Sequence, residues 1–303
     1  AARGQDGGLA SEKLVKAVKG CYARTIRFCK NSGWITLNEM HELLDGVSMP
    51  VTAKKNKNAK YLPIGDMGAV LHALKENRRY YLVVKILLLT GMRGQGIFAL
   101  EKSDLLPDKG MLHIHQALEE VEKKHRTDRR FRLGDTKNEE SERYAPAIQE
   151  VFACFKELEE IQVENGWRDN AYKKGNGSLA IIDKNGEIVD KRAFNRNLGL
   201  YLERRGFEKK LTLHMPRHCY TTYLKLFGAD LENVEFSLGH TVDGVRGEYL
   251  ADLTPDYVKL LLPKITEMAE QVRKKKKRYK GLTGREAHTK IPEIPKRKVA
   301  TVC

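Results

Sequence analysis

The segment YYLVVKILLLTGM, residues 80–92, places the strongest limit on the fold of this chain. Only Lys85 interrupts its apolar run, so a helix formed here would be apolar on nearly every face and must be enclosed by other elements. The segment is too short to cross a bilayer, and the chain has no run of 18 apolar residues. We therefore expect a central, buried helix in a water-soluble domain.

Helical spacing of apolar residues dominates the rest of the chain, in residues 11–46, 64–76, 148–164 and 192–270. Residues 111–118 and 131–147 instead alternate between apolar and polar side chains, which predicts short strands of one small sheet. Residues 178–190 contain a Lys-Asn-Gly turn and fit either two strands or a loop with a helix. We expect a mainly α fold with a small antiparallel β-sheet, which is an α+β architecture.

Composition divides the chain near residue 50. The stretch VSMPVTAKKNKNAKYLP has proline near both ends, lysines between them and no apolar period, as a linker does. We predict a helical region over 1–50, a basic linker over 51–60 and the main domain over 61–265. Residues 266–303 would form a basic helix end and a flexible tail, because they contain too few apolar residues to fold alone.

The five cysteines are odd in number and scattered along the chain. They form neither a disulfide framework nor a pattern of metal ligands. We therefore expect a reducing, intracellular compartment and no metal site.

The chain is strongly basic, with 55 Lys and Arg against 40 Asp and Glu and a net charge of +15. Its basic clusters are KKNKNAK (54–60), KKHRTDRRFR (123–132) and RKKKKRYK (273–280). A single cluster can be a solvated surface, but three favour a polyanion, because each neutralised phosphate releases counterions. Nucleic acid fits better than a membrane, since no amphipathic helix carries exposed Trp or Phe beside the basic residues. The candidate DNA contacts are Lys54, Lys55, Lys57, Lys60, Arg129 and Arg130.

Residues 213–250 carry a dense group of chemically versatile side chains. His214 and Arg217 stand three apart, which puts them on one face of a helix, and Pro216 suits the first turn of that helix. His240 and Tyr249 follow. Gly228 would end the helix and Asp230 would cap a second one. Two helices joined by a short turn also outline a helix-turn-helix, so a non-catalytic DNA-binding regulator is an alternative.

Arginines and histidines that converge on one phosphate can bind it and stabilise a pentacovalent phosphorus without a metal. A nearby tyrosine could attack the phosphorus and hold a covalent intermediate. This scheme needs a second arginine and a general acid from elsewhere in the chain. Arg93 follows a Thr90–Gly91 break after the apolar helix, and Lys137 stands at a tight turn between strands.

Four segments together resemble the tyrosine recombinases of the phage integrase family. LLLTGMRGQGIFALEKSDL is similar to that family's first arginine box, and TKNEESERYAP to its β-turn lysine segment. HMPRHCYTTYLKLFGADLENVEFSLGH is similar to the second box, and Tyr249 stands nine residues after His240, which is the family's spacing for its nucleophile. The matches occur in order and extend over residues 60–262. The resemblance implies the fold of a tyrosine recombinase catalytic domain.

The resemblance also implies a role for each matched residue. Arg93 and Arg217 would hold the non-bridging oxygens of the scissile phosphate. His214 would support the phosphate and help to deprotonate the nucleophile, to which His240 would donate a hydrogen bond. Lys137 would protonate the leaving 5′-oxygen, and Tyr249 would form the 3′-phosphotyrosine link. No metal, ATP or other cofactor is implied, because the phosphotyrosine conserves the bond energy for religation.

By the same resemblance, the chain would be a site-specific recombinase that integrates or excises a mobile element. Its partners would be double-stranded DNA with specific recombination sites, further copies of itself in a homo-tetramer that exchanges C-terminal segments, and accessory DNA-bending proteins. It would act in the cytoplasm at the nucleoid, or in the nucleus if the element is eukaryotic. Residues 1–50 would be the C-terminal part of a core-binding (DNA-binding) domain. Type IB topoisomerase-like relaxation is the enzymatic alternative.

The sequence departs from the family pattern after Arg93. Gly96 stands where the family has an acidic residue, and Gln95 is the candidate to orient Arg93 instead. Rival residues also exist for two of the roles. Tyr223 and Tyr257 compete for the nucleophile, although the first is core-like and the second lies too far past His240. Lys102 and Lys109 compete for the general acid, and His218 is expected to be a structural partner.

Overall fold

The computed structural model of the chain describes residues 10–47, 61–121, 130–135, 142–167, 178–207, 211–239 and 250–274. The chain divides into two compact units, Ala1–Ala59 and Lys60–Cys303. Both units are mainly helical, and the strands within the described residues belong to the second.

The first unit contains two helices, α1 (Glu12–Asn31) and α2 (Leu37–Asp45), where the sequence predicts helical structure. The hydroxyl of Thr36 caps the start of α2. The Tyr22 hydroxyl donates a hydrogen bond to the Leu43 carbonyl at 3.1 Å, which holds α1 against α2.

The second unit alternates helices with short strands. Its helices are α3 (Ile64–Leu74), α4 (Arg78–Thr90), α5 (Gly94–Ile97), α6 (Gln149–Glu164), α7 (Lys191–Glu203), α8 (Met215–Leu226), α9 (Leu231–Leu238) and α10 (Leu250–Lys274). Its strands are β1 (Leu105–Leu106), β2 (Met111–Ile114), β3 (Gln116–Glu120), β4 (Phe131–Asp135) and β5 (Arg143–Pro146). The 3-10 turns Lys102–Asp104 and Pro107–Lys109 flank β1.

The apolar helix predicted around residues 80–89 is α4, and it lies at the centre of the core. Its Leu82, Val83 and Ile86 are fully buried, and it packs against α3, α6 and α8. Lys85, on a half-buried face, forms an ion pair with Glu150 of α6 at 2.7 Å. The residues that follow α4 therefore begin inside the domain.

Within the described residues the strands form two small antiparallel sheets, one more than the sequence predicted. One sheet has the order β1-β2-β5, with Leu112 opposite Ala145, and the other pairs β3 with β4, with Leu118 opposite Leu133. Both edges of β2 are already paired with β1 and β5. Within the described residues, the next strand, β3, pairs with β4 in a separate sheet.

Residues 178–190 form a loop with isolated bridges rather than two strands or a helix. Ile182 and Ile188 form one bridge around the predicted turn. Inside the turn, the Asp183 carboxylate accepts hydrogen bonds from the backbone N–H groups of Asn185 and Glu187.

The last three helices, α8 to α10, pack against earlier elements of the second unit. α8 packs on α4, and α10 packs on α3, α9 and β5. α10 continues beyond residue 265, the predicted end of the domain, to Lys274. Within the ranges given above, no helix is both long and apolar enough to cross a membrane.

Candidate active site

A tight turn at Gly91 positions the first arginine. Gly91 ends α4 in the left-handed conformation, with φ of 63°, and a Cβ there would lie 2.5 Å from Cδ1 of Tyr220. Only glycine fits both this backbone conformation and this close approach. The chain turns away from α4 at this point, and Arg93 becomes the residue that precedes α5, with its side chain half-buried.

The second arginine, Arg217, lies in the first turn of α8, where Pro216 also sits as predicted. Its side chain is buried. Nη1 donates a hydrogen bond to the Gly91 carbonyl at 2.8 Å, and Nη2 donates one to the Leu238 carbonyl at 2.8 Å. Arg217 therefore joins the end of α4 to the end of α9.

A third arginine, which the sequence analysis did not single out, belongs to the same centre. Arg143 of β5 is buried and donates a hydrogen bond from Nε to the Ser237 carbonyl at 3.1 Å. A Cβ at Gly239 would lie 2.9 Å from Cδ of Arg143. The available sequence signal was its position in the lysine segment TKNEESERYAP, as the arginine six residues after Lys137.

The charges of these arginines act on one another. Burial and, to a smaller extent, the nearby positive charges of Arg93 and Arg143 together lower the pKa of Arg217 to about 9. Burial, together with the charge of Arg93, lowers the pKa of Arg143 to about 10. An anion bound beside Arg93, Arg143 and Arg217 would offset this repulsion. We call these three residues the arginine centre.

His214 lies beside the arginine centre. It directly precedes α8, and its ring meets that of His218 edge-on, with the ring centroids 4.6 Å apart. Although the residue is exposed, partial burial of its ring lowers its pKa, as do the charges of His218, Arg217, Arg93 and Lys191. A neutral imidazole is therefore favoured, and it can accept a proton at neutral pH.

The structure thus brings together three of the six predicted catalytic residues, namely Arg93, His214 and Arg217. Lys137, His240 and Tyr249 lie outside the described residues, as do Lys54, Lys55, Lys57, Lys60 and Arg129. In the sequence, His240 directly follows Gly239, and Tyr249 directly precedes α10. Of the candidate DNA contacts, Arg130 is described, and its Nε donates to Glu120 at 3.1 Å.

Three of the four rival residues have partners elsewhere in the described structure. Tyr223 is fully buried and donates its hydroxyl proton to the Leu62 carbonyl, and burial raises its pKa. Tyr257 donates to the Tyr144 carbonyl, and burial raises its pKa to about 12. Neither hydroxyl is placed to attack a large external substrate. The ammonium group of Lys102 is paired with Glu159 at 2.5 Å, whereas Lys109 is exposed.

The segment after Arg93 is supported from β3. Nε2 of Gln95 donates to the Leu118 carbonyl at 3.2 Å, so this amide fastens α5 to β3. A Cβ at Gly96 would make an ordinary contact with Met92, at 3.4 Å from its Cε. The position where the family has an acidic residue is therefore packed against an apolar side chain.

A second group of side chains has the character of metal ligands, although the sequence predicts no metal site. Asp104, His113 and His115 each offer one ligand atom, and these atoms lie within 4.8 Å of one another. Sequence reasoning missed this group because the pairing of β1 with β2 is what places Asp104 beside the histidines, although the His-Ile-His spacing on a strand was a usable signal.

In chemical terms, the arginine centre and His214 form a basic site with one exposed imidazole at its edge. Guanidinium groups suit the oxygens of a phosphate, and an imidazole of lowered pKa suits proton transfer. The arrangement can therefore bind a tetrahedral anion and stabilise negative charge that develops on it.

Comparisons with known proteins identify the family of the chain. The sequence model of the phage integrase family matches residues 60–254. A XerD tyrosine recombinase of Oceanobacillus iheyensis is 30% identical over 160 residues, which are 52% of this chain and 45% of that protein. A XerD of Shewanella oneidensis is 36% identical over 63 residues, which are 21% of each chain. This chain thus spans less than half the length of these curated relatives.

Among solved structures, the Tn1549 transposon integrase in complex with a circular intermediate DNA has a TM-score of 0.61 to this chain. The match has 17% sequence identity and covers 82% of this chain and 75% of that one. A likeness at this identity shows the fold. It confirms the predicted α+β architecture of a tyrosine recombinase catalytic domain.

Proposed function

This chain belongs to the phage integrase family, and from that premise we propose that it is a site-specific DNA recombinase. It cleaves and rejoins DNA strands through a 3′-phosphotyrosine intermediate, for the integration or excision of a mobile element. The observation that carries the proposal is the convergence of Arg93, Arg217 and His214 from the ends of α4 and α8. A helix-turn-helix regulator would need no such centre.

In this mechanism the hydroxyl oxygen of Tyr249 attacks the scissile phosphorus while the bond to the 5′-oxygen breaks. Lys137 gives a proton to the departing 5′-oxygen, and His214 takes the proton of the nucleophile. Arg93 and Arg217 stabilise the charge on the non-bridging oxygens, as preorganised donors do. Attack of a 5′-hydroxyl on the phosphotyrosine reverses the step and rejoins a strand.

Arg143 enters this mechanism as a positioning residue. Its hydrogen bond to Ser237 and its close approach to Gly239 fix the end of α9, and His240 is the next residue of the chain. Arg217 supports the same end through Leu238. Two buried guanidinium groups thereby hold the segment from which His240 would donate its hydrogen bond.

The substrate we propose is double-stranded DNA with specific recombination sites. The net charge of +15 and the three basic clusters support a polyanionic partner. The solved Tn1549 integrase is bound to DNA, which supports the same substrate class here. We further propose a homo-tetramer on synapsed DNA that exchanges C-terminal segments, with accessory DNA-bending proteins, at the nucleoid of a cytoplasm or in a nucleus.

We also propose a role for each segment of the chain. Residues 1–50 would be the C-terminal part of a core-binding domain, 51–60 a basic linker, 61–265 the catalytic domain and 266–303 a basic helix end with a tail. The division of the chain at Ala59 and Lys60 supports a boundary in the linker.

A nicked suicide DNA substrate tests the function, because it traps the covalent intermediate. The unmodified chain should form a protein–DNA adduct on a denaturing gel, and Tyr249→Phe should bind the DNA but form none. Tyr201→Phe is the matched control, because the Tyr201 hydroxyl is buried and makes no hydrogen bond within the described part of the chain. An adduct that persists in Tyr249→Phe would refute the assignment of the nucleophile. Supercoil relaxation without strand exchange would identify a topoisomerase-like activity instead.

A further inference from the structure

A strand register brings an acidic residue beside two histidines. His113 lies in β2 and His115 directly follows it, so their side chains point to the same face of the strand. β1 pairs with β2 so that Leu105 is opposite Leu112. When this register is continued by one residue, Asp104 lies opposite His113.

The distances within this group suit a bound cation. Oδ1 of Asp104 lies 3.0 Å from Nε2 of His115 and 3.9 Å from Nδ1 of His113. Bonds of about 2.0–2.2 Å in a tetrahedral zinc site place neighbouring ligand atoms about 3.3–3.6 Å apart. The two observed separations bracket this range, so modest rotations of the imidazole rings would complete the geometry.

The outer contacts of the group also match those of a metal site. Metal-ligating histidines usually donate their second ring N–H to a carboxylate or a carbonyl. Here Nε2 of His113 meets Oε1 of Glu142 at 2.9 Å, while Nδ1 faces Asp104. The His113 ring also stacks on Tyr144, with the centroids 4.9 Å apart and the planes at 24°. These contacts fix which nitrogen of His113 faces Asp104.

The carboxylate of Asp104 is held in a similar way. Oδ2 accepts a hydrogen bond from the backbone N–H of Glu101 at 2.8 Å, which leaves Oδ1 toward both histidines. The Asp104 side chain is almost fully buried, whereas those of His113 and His115 are partly exposed. The group is therefore closed on the carboxylate side and open on the imidazole side, where an ion and a water ligand can enter.

We propose that Asp104, His113 and His115 bind a Zn²⁺ ion, with water as the fourth ligand and Glu142 supporting His113. Two imidazoles and one carboxylate suit zinc, whereas Mg²⁺ and Ca²⁺ prefer oxygen ligands alone. The ion fastens the 3-10 turn before β1 to the end of β2. The site shares no residue with the arginine centre and does not rest on the proposed recombinase function.

The test is a titration of the full chain with ZnCl₂, after removal of bound metals, in competition with a chromophoric chelator. One zinc ion per chain should bind. His113→Gln and His115→Gln should each weaken binding by at least about tenfold, and Glu142→Gln by about 10–100-fold, as expected of an outer partner. The thermal midpoint should rise by about 5–10 °C at free zinc one hundred times the Kd, and MgCl₂ should not reproduce this.

Two further measurements locate the ion. His72→Gln, at an exposed histidine of α3, should bind zinc as the unmodified chain does. Co²⁺ in place of zinc should give the visible absorption of a tetrahedral site, and the double variant of His113 and His115 should lose it. The side chains of His113 and His115 are partly exposed, so the glutamine variants should fold. Zinc binding that survives in the double variant would overturn the proposal, as would the absence of stoichiometric binding to the unmodified chain. The group would then be an Asp–His ion pair without a metal.

Discussion

Nη1 of Arg217 donates a hydrogen bond to the carbonyl oxygen of Gly91 at 2.8 Å, across 126 residues of sequence. Gly91 forms the turn that leads to Arg93. This bond therefore holds the start of α8, which carries Arg217, against the turn that positions Arg93. The second bond of Arg217, to Leu238, brings the end of α9 into the same arrangement. Arg217 therefore positions the centre as well as contributing charge to it.

This geometry predicts that a lysine cannot replace Arg217. Arg217→Lys keeps the positive charge but loses the planar fork that reaches two carbonyls, so cleavage should fall by about 10²–10³. Arg217→Ala should also lower the free energy of unfolding by about 1–3 kcal/mol, because the Gly91 and Leu238 carbonyls lose their donor. Single-turnover cleavage and urea unfolding measure the two effects. Arg196→Lys, at an exposed arginine of α7, is the control, and near-normal cleavage by Arg217→Lys would contradict the assignment.

Replacement by alanine should have different effects on the free energy of unfolding at two glycines near Arg93. Gly91→Ala should lower the free energy of unfolding by more than about 1–2 kcal/mol, because the left-handed backbone disfavours a Cβ and Tyr220 lies in its way. Gly96→Ala should leave the free energy of unfolding unchanged or raise it by about 0.5–1 kcal/mol, because the new Cβ would make an ordinary van der Waals contact with Met92. Urea unfolding of both variants tests the pair. Equal destabilisation would show that the Gly91 turn is not the constraint we describe.

Local sequence signals were sufficient to predict the helices that carry this site. Pro216 marks the first turn of α8, and the Asp230 side chain caps α9 by accepting from the backbone N–H of Asn233. Each of these signals acts within one or two turns of chain. The apolar run of α4 was equally informative, because a helix without a polar face must be buried.

Other parts of the site depend on tertiary pairings that no local pattern encodes. Arg143 joins the centre through Ser237, which lies 94 residues further along the chain. Asp104 meets His115 only because β1 and β2 pair in one register. The division into two sheets likewise depends on which strands occupy the edges of β2. These features depend on which elements pair in the folded chain, and a local sequence pattern does not encode that choice.

The pKa of His214 predicts a dependence of stability on pH. Partial burial and the charges of His218, Arg217 and Arg93 lower that pKa from its ordinary value of 6.5. The unfolded chain therefore binds more protons than the folded chain just below pH 6.5, so stability that is present above this pH is lost as the pH falls. Replacement of His214 by glutamine should make the free energy of unfolding fall less steeply as the pH is lowered below about 6.5. His72→Gln is the control, and unchanged slopes in His214→Gln would contradict the prediction.

The basic clusters predict a steep dependence of DNA binding on salt. A protein that contacts about 6–10 phosphates loses about 10³–10⁵ in affinity between about 50 and 200 mM salt. Replacement of Lys54, Lys55, Lys57 and Lys60 by glutamine should reduce the slope of log K against log salt by about 0.9 for each phosphate that is no longer neutralised. Lys184→Gln, in the turn after Asp183, should leave the slope unchanged. A flat titration of the unmodified chain would contradict a DNA substrate.

The assignment of Lys137 as general acid predicts a rescue by the substrate. A 5′-alkoxide is a poor leaving group and must be protonated as its bond to phosphorus breaks. When the bridging 5′-oxygen is replaced by sulfur, the leaving group is a thiolate, which departs without a proton. Lys137→Ala should therefore cleave ordinary DNA very slowly but cleave the sulfur-bridged substrate nearly as fast as the unmodified chain does.

Arg217→Ala provides the contrast in the same assay. In the proposed mechanism, Arg217 stabilises charge on the non-bridging oxygens, which sulfur substitution at the bridging position leaves in place. This variant should therefore stay defective on both substrates. Lys102→Ala and Lys109→Ala test the rival lysines and should cleave both substrates at the normal rate. If the sulfur-bridged substrate rescues one of these variants and leaves Lys137→Ala slow, the proton comes from that other lysine and the assignment of Lys137 is wrong.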